Sequence, residues 1–353
     1  MTRLPLSHGA AVDLIDLFTQ ELRLCKVSAG ETLLVYGDVM TPPHRMAACM
    51  AAAQNLGAQA VQIVVSTTAP EVLPFGPRSN QIRQGLVLQS WKAADMVVDM
   101  VTASGQGFSQ VMEEATRAGT RVLRVMEPAD VLKRLMPGAD LKARAVAGGK
   151  IMANGGELRI TSPGGTNLTL DKTGRPAMLQ YGLADEPGRW DHWPSGAVAC
   201  APLEDRGEGV LVIDVGDIIL PLGAYALEPI TLTVRAGRIT EIQGDSVDAV
   251  LLRQWFTSWD DPNAYIISHA GWGILKNTQW HRMKLKWAEL GGLCDAEFEW
   301  GSVTIAFGSN MGHGFEGKNE SQAHIDFCCL RCDFYVDDQL IVKNGEIIPE
   351  ALR

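Results

Sequence analysis

The chain has 353 residues, of which 46% are hydrophobic and 20% charged, and a formal net charge of -10. It is too long for one ordinary compact domain and apolar enough to build a large core, so two folded domains are expected and disorder is not. The acidic balance leaves no overall basic field to meet a phosphate backbone, which argues against a nucleic-acid partner.

The opening residues Met1 to His8 show neither a long apolar core nor a small-residue cleavage pattern, so no secretion signal is expected. No run reaches the ~18 apolar residues of a membrane span, and the expected setting is a soluble, cytoplasmic protein. Seven cysteines, an odd number without framework spacing, fit reduced thiols. Cys329 and Cys332 form a C-x-x-C inside an apolar, strand-like stretch with no second pair, and read as buried structural thiols.

The first half alternates strand-like and helix-like segments. Gly30 to Gly37 reads as a buried strand. A helix follows Pro42-Pro43 through Ala53 and stops near Gly57, and Ala60 to Ser66 is a second strand. Met96 to Val101 with Phe108 to Ala118, and Arg121 to Val125 with Ala129 to Met136, add two strand and helix pairs. Gly105-Gln106-Gly107 lacks the third glycine of a dinucleotide fingerprint and reads as an ordinary loop.

A further helix from about Leu141 to Asn154 ends at Gly155-Gly156, where the pattern changes. Leu158 to Thr161 and Asn167 to Leu170 flank Ser162-Pro163-Gly164-Gly165 as a hairpin. Short alternating strands follow at 209–215, 230–234, 238–242, 303–307, 334–336 and 339–342. The expected fold is therefore a Rossmann-like α/β domain over residues 1–152 and a mostly β, metal-binding domain over 153–353.

His324 and Asp326 stand two residues apart at the start of an apolar run. In a strand they leave the same face, so both can reach one ion while Ile325 points into the core. A strand-end histidine hydrogen-bonded to a carboxylate is the commoner explanation of such a pair taken by itself. Ser268-His269-Ala270-Gly271-Trp272-Gly273 puts His269 at the end of a strand, where glycines allow close approach. The segment Asp185 to Gly196 packs acids, an arginine, a histidine and two tryptophans between breakers. It reads as a loop that either walls a pocket or covers a sheet edge. His281, beside Arg282 and Lys284, reads as a solvated helix face.

With these segments in hand, the second domain resembles the aminopeptidase T-like metallopeptidases and, more closely, their relatives the 2,5-dihydroxypyridine 5,6-dioxygenases. The likeness runs from the Leu158 hairpin through Glu186-Pro-Gly-Arg-Trp-Asp-His-Trp-Pro-Ser-Gly196, Asp214 to Pro221, and Ser268 to Gly273, to His324-Ile-Asp326 and Arg331-Cys-Asp333. Against the peptidases, Ala197 and His269 replace carboxylate ligands and Thr304 replaces a histidine, whereas His324 and Asp326 keep their type. Losing the carboxylates removes the charge that holds two cations together.

The resemblance then implies one Fe(II) on His269, His324 and Asp326, a two-histidine, one-carboxylate set with open positions. It implies an extradiol-type cleavage of 2,5-dihydroxypyridine, or a related hydroxylated N-heteroaromatic, by O2 to N-formylmaleamic acid. It also implies a homo-oligomer. On this reading His192, with Glu186 as its partner or as the alternative base, handles the ring hydroxyl's proton. Trp190 and Ser104 contact the substrate. The alternatives are a two-metal aminopeptidase, which hydrolyses without consuming oxygen, and a non-catalytic binding protein, which holds no metal.

Overall fold

The computed structural model describes residues 8–66, 85–101, 110–284, 293–311 and 314–353. In chain order the first elements are α1 (His8–Leu24), β1 (Thr32–Asp38), α2 (Pro43–Asn55), β2 (Gln59–Val65), α3 (Gly85–Ala93), β3 (Met96–Asp99), α4 (Gln110–Arg117), β4 (Arg121–Arg124) and α5 (Ala129–Arg134). Then come α6 (Ala139–Asn154), β5 (Glu157–Thr161), β6 (Asn167–Asp171), β7 (Met178–Gln180) and β8 (Trp190–His192). The chain continues with β9 (Ala197–Cys200), β10 (Gly207–Ile213), β11 (Ile218–Ile219), β12 (Ala224–Tyr225), β13 (Ile230–Arg235), β14 (Arg238–Gln243) and α7 (Val247–Ser258). It closes with β15 (Ile267–Gly273), α8 (Leu293–Glu297), β16 (Val303–Gly308), β17 (His324–Cys329), β18 (Asp333–Val336), β19 (Gln339–Lys343) and β20 (Glu346–Ile347).

The first compact unit comprises the described residues up to 137 together with Gly182–Pro194. Its sheet is parallel throughout, in the order β2-β1-β3-β4-β8. Strands β1, β3 and β4 are buried almost end to end, as expected where helices cover both faces. Helix α2 starts with Pro43 in its first turn, where a missing N–H costs nothing, and stops before Gly57 at φ +82°. Tyr36, Trp91, Val97, Val122 and Trp190 meet in one core cluster.

The division into units departs from the expected boundary at 152/153. Helix α6 belongs to the second unit, where Gly148 and Gly149 let it lie flush on Val198 and Leu179. Conversely, the tryptophan-rich segment, expected as a loop of the second domain, returns to the first unit. Three of its residues form β8, with Val122 opposite Trp190 and Arg124 opposite His192.

The second unit comprises Gly138–Tyr181 and Ser195–Arg353 as far as these are described. It holds two sheets, β14-β13-β10-β6-β5-β18-β19-β20 and β12-β11-β17-β16-β15-β9-β7, and their named pairs are antiparallel. In the first of these, β5, β6 and β13 alternate between buried and half-buried residues, the mark of a sheet with one face on a core. In the second, β15, β16 and β17 are buried at every position. Trp272 of β15 meets Phe334 of β18 with ring centroids 5.3 Å apart, joining the two sheets. Helix α7, not anticipated, begins at Ser246, whose side chain accepts a hydrogen bond from Ala249 N. Among the described residues no helix is long and apolar enough to cross a membrane.

Candidate metal centre

Three adjacent strands of the second unit converge on one point. The β17 strand carries His324 and Asp326 on one face, opposite Gly308 and Ala306 of β16. On the other side of β16, the register with β15 shifts between Ile267 and Ala270, so Ser268 and His269 together oppose a single residue. Such a bulge re-aims a side chain that strict alternation would send elsewhere. His269 thus lies inside a strand, not at its end as expected, and the bulge turns it toward Asp326. The middle strand contributes only small side chains at 306 and 308, which leaves room between the flanking strands.

One potential ligand atom from each of His269, His324 and Asp326 lies within 4.8 Å of the others, and all three residues are buried. His269 Nε2 is 3.1 Å from Asp326 Oδ1, and His324 Nε2 is 3.4 Å from Asp326 Oδ2. The rings stack at 5.3 Å between centroids. Behind them, His324 Nδ1 donates to the Ser309 carbonyl at 3.0 Å, and Ser268 Oγ donates to the same carbonyl at 2.6 Å. Because a carbonyl only accepts, that bond fixes a proton on Nδ1 and turns Nε2 toward Asp326. Nε2 and Asp326 Oδ2 face each other at 3.4 Å, where a cation between them would take a lone pair from each.

The charges agree with that need. Burial alone would raise the Asp326 carboxyl, but His324 and His269 outweigh it and hold it below the usual carboxylate range. Burial pushes His269 below the ordinary imidazole value, with Asp326 opposing only in part. A divalent metal binds such a set with the carboxylate ionised and takes the place of any proton between the side chains. Asp326 Oδ1 and His269 Nδ1 are buried without an aligned hydrogen bond among the described residues. Two nitrogens and one oxygen in this geometry fit a single ion of the Fe(II) class with coordination positions left open.

The other expected site residues are placed differently. Trp190 is only 8% exposed and packs in the first unit's core cluster. Glu186 is exposed in the turn that enters β8, and His192 is at the strand's exit. Burial, reinforced by the Arg124 charge, pushes the His192 imidazole down to about 3. At that value the ring is neutral near neutral pH and is a hydrogen-bonding group in that state. Ser104 lies outside the described residues, as do Gly105-Gln106-Gly107 and His313. His281 is exposed, as expected. Cys328, Cys329 and Cys332 are buried, and the pKa of Cys329 is raised, mainly by its hydrogen bond with Cys332 and by burial.

Sequence reading missed Phe315, whose ring stacks on His269 at 5.0 Å and 13°, and Ser309, whose carbonyl orients His324. A lone aromatic in a glycine-rich loop carries no periodicity, and a carbonyl carries no residue signature. Ser268 was within reach, since it precedes His269 in the motif.

Comparison with known proteins bears on the same residues. The profile of the 2,5-dihydroxypyridine 5,6-dioxygenase family matches residues 13–349. The chain is 34% identical to the 2,5-dihydroxypyridine 5,6-dioxygenase of Pseudomonas putida KT2440 over 99% of both sequences. The solved structure of 2,5-dihydroxypyridine dioxygenase from that organism superposes with a TM-score of 0.91, covering 99% of this chain and 100% of the other. Wild-type AmpT from Thermus thermophilus shares the fold, with a TM-score of 0.67 at 14% identity over 96% and 99% of the two chains. Full-length likeness in both sequence and structure places this chain in the 2,5-dihydroxypyridine 5,6-dioxygenase family.

Proposed function

We propose that the chain is an Fe(II)-dependent, extradiol-type ring-cleaving dioxygenase that acts on 2,5-dihydroxypyridine or a closely related hydroxylated N-heteroaromatic. The reaction adds both atoms of O2 across the C5–C6 bond and gives N-formylmaleamic acid. The observation that carries this reading is the convergence of His269, His324 and Asp326, two imidazoles and one carboxylate, in a chain of this family.

On this reading those three side chains hold the iron, and the residues around them set its surroundings. The bound metal supplies an electronic route between an electron-rich ring and dioxygen. Asp326 contributes a fixed negative charge that favours a divalent ion, and Ser309 holds the His324 ring with Nε2 facing inward. Phe315 covers one face of His269 and keeps water from it. For His192 the role we favour is that of a neutral hydrogen-bond acceptor, since a ring pushed down to about 3 holds a proton poorly.

A two-metal hydrolase needs further carboxylates to bridge a second ion. Among the described residues no fourth His, Cys, Asp or Glu joins the group, and positions 197 and 304 are alanine and threonine. The test is oxygen uptake by anaerobically loaded protein after addition of 2,5-dihydroxypyridine. Stoichiometric uptake with loss of the ring supports the proposal, whereas peptide hydrolysis without uptake removes it.

A further inference from the structure

The chain between β16 and β17 touches two of the three proposed ligands. Ser309 orients His324, and Phe315 lies flat on His269. What fastens that connection is a half-buried polar cluster centred on Glu204, some distance along the sequence. Glu204 Oε1 accepts from Asn310 Nδ2 at 2.9 Å and from the Lys318 N–H at 2.7 Å. Its other oxygen accepts from Arg175 at 2.5 Å, and Arg175 also donates to the Glu316 carbonyl, next to Phe315. The two ends of the connection are tied to each other as well. Asn310 Oδ1 accepts from Asn319 N at 2.8 Å, and Asn319 Nδ2 donates to the Gly308 carbonyl at 2.7 Å.

The fit is close enough to constrain sequence. A Cβ on Gly317 would lie 2.1 Å from the Asn310 amide, so only glycine lets this turn pass the clamp. Asn310 is fully buried, and Arg175 keeps 7% of its side chain exposed. Burial works against charge on Glu204, but Lys318, Asn310 and Arg175 together overcome it and keep the carboxyl below its ordinary range. One carboxylate thus gathers three donors that belong to two separate segments.

We propose that Glu204 is a positioning residue for the metal centre: by clamping Asn310, Lys318 and, through Arg175, Glu316, it holds the Ser309 carbonyl against His324 and Phe315 against His269. The inference rests on the reading that His269, His324 and Asp326 bind one divalent ion. Groups that orient metal ligands from behind are worth about 10- to 100-fold in affinity. Glu204 acts one step further out and joins both ligand supports at once.

The experiment is anaerobic competition between the full-length protein and a chelator for Co(II), read by the Co(II) absorption bands. The apo-protein melting midpoint is measured alongside. Glu204→Ala is expected to weaken Co(II) binding about 10-fold or more and to shift the bands, with Glu204→Gln recovering part of the affinity. Gly317→Ala, which keeps the carboxylate but displaces Asn310, should give the same shift. Folded variants with wild-type affinity and bands would overturn the inference, as would apo proteins that fail to fold in both cases, since the clamp would then serve the fold at large. Should wild type itself bind no Co(II), or bind it undiminished in His324→Ala, the underlying metal reading fails independently of Glu204.

Discussion

Ala306 stands directly opposite Asp326 across the ladder between β16 and β17, and Gly308 stands opposite His324. The ligand strand therefore faces a neighbour that offers no side-chain bulk, and the bulge in β15 aims His269 into the same space. On the proposed reading, the space for the ion comes from what β16 leaves out.

It follows that Ala306→Val should fill the centre. The position is fully buried, so two added methyl groups have nowhere to go, and overpacking of this kind costs about 1–3 kcal/mol. Metal analysis of the purified variant should show little or no bound iron, with a modestly lowered melting midpoint. Wild-type iron content in the variant would show that the space at Ala306 is not where the ion sits.

The triad was only partly legible in the sequence, for a physical reason. The i, i+2 relation of His324 and Asp326 follows from strand geometry alone, and β17 has that geometry. The aim of His269 does not, because a bulge is a property of the pairing between β15 and β16 and not of either strand. The same holds for β8, whose three residues become a strand by pairing with β4, far away in sequence. Helices and strands with strong local patterns, such as β1, α2 and the β5–β6 hairpin, were readable, whereas α7 was passed over despite its Ser246 cap.

In the first unit, Arg124 Nη1 lies 3.0 Å from Asp99 Oδ2, with both side chains almost fully buried. Removing one partner leaves an uncompensated buried charge, so Arg124→Met should destabilise by about 3–5 kcal/mol. The double variant Asp99→Asn with Arg124→Met should recover much of that loss in a denaturant titration. A single variant within 0.5 kcal/mol of wild type, roughly the scatter of surface changes, would contradict the pairing.

The same arginine bears on pH dependence. His192 is pushed down to about 3 in the fold, chiefly by burial and then by Arg124, against an unfolded value of about 6.5. Between these values the unfolded chain binds the extra proton, so His192 favours folding fully above the unfolded value. That contribution is lost progressively as pH falls toward about 3. His192→Gln should melt with a shallower acid slope than wild type across that window. Superimposable slopes would mean that His192 titrates normally in the folded protein.

The packing of Phe315 on His269 makes a further expectation. Phe315→Leu keeps apolar cover but removes the flat stack, so iron should be retained while its loss to a chelator quickens about 10-fold, the low end of the effect of groups that support metal ligands. Unchanged release kinetics would reduce Phe315 to ordinary core packing.

The most direct measurement is metal content per chain after anaerobic loading with Fe(II) and removal of loose ions, for wild type beside His269→Ala and His324→Ala. A single-ion centre built by His269, His324 and Asp326 predicts one iron per wild-type chain and none retained in either variant. Two ions per chain, or full retention in a variant lacking either histidine, would contradict it.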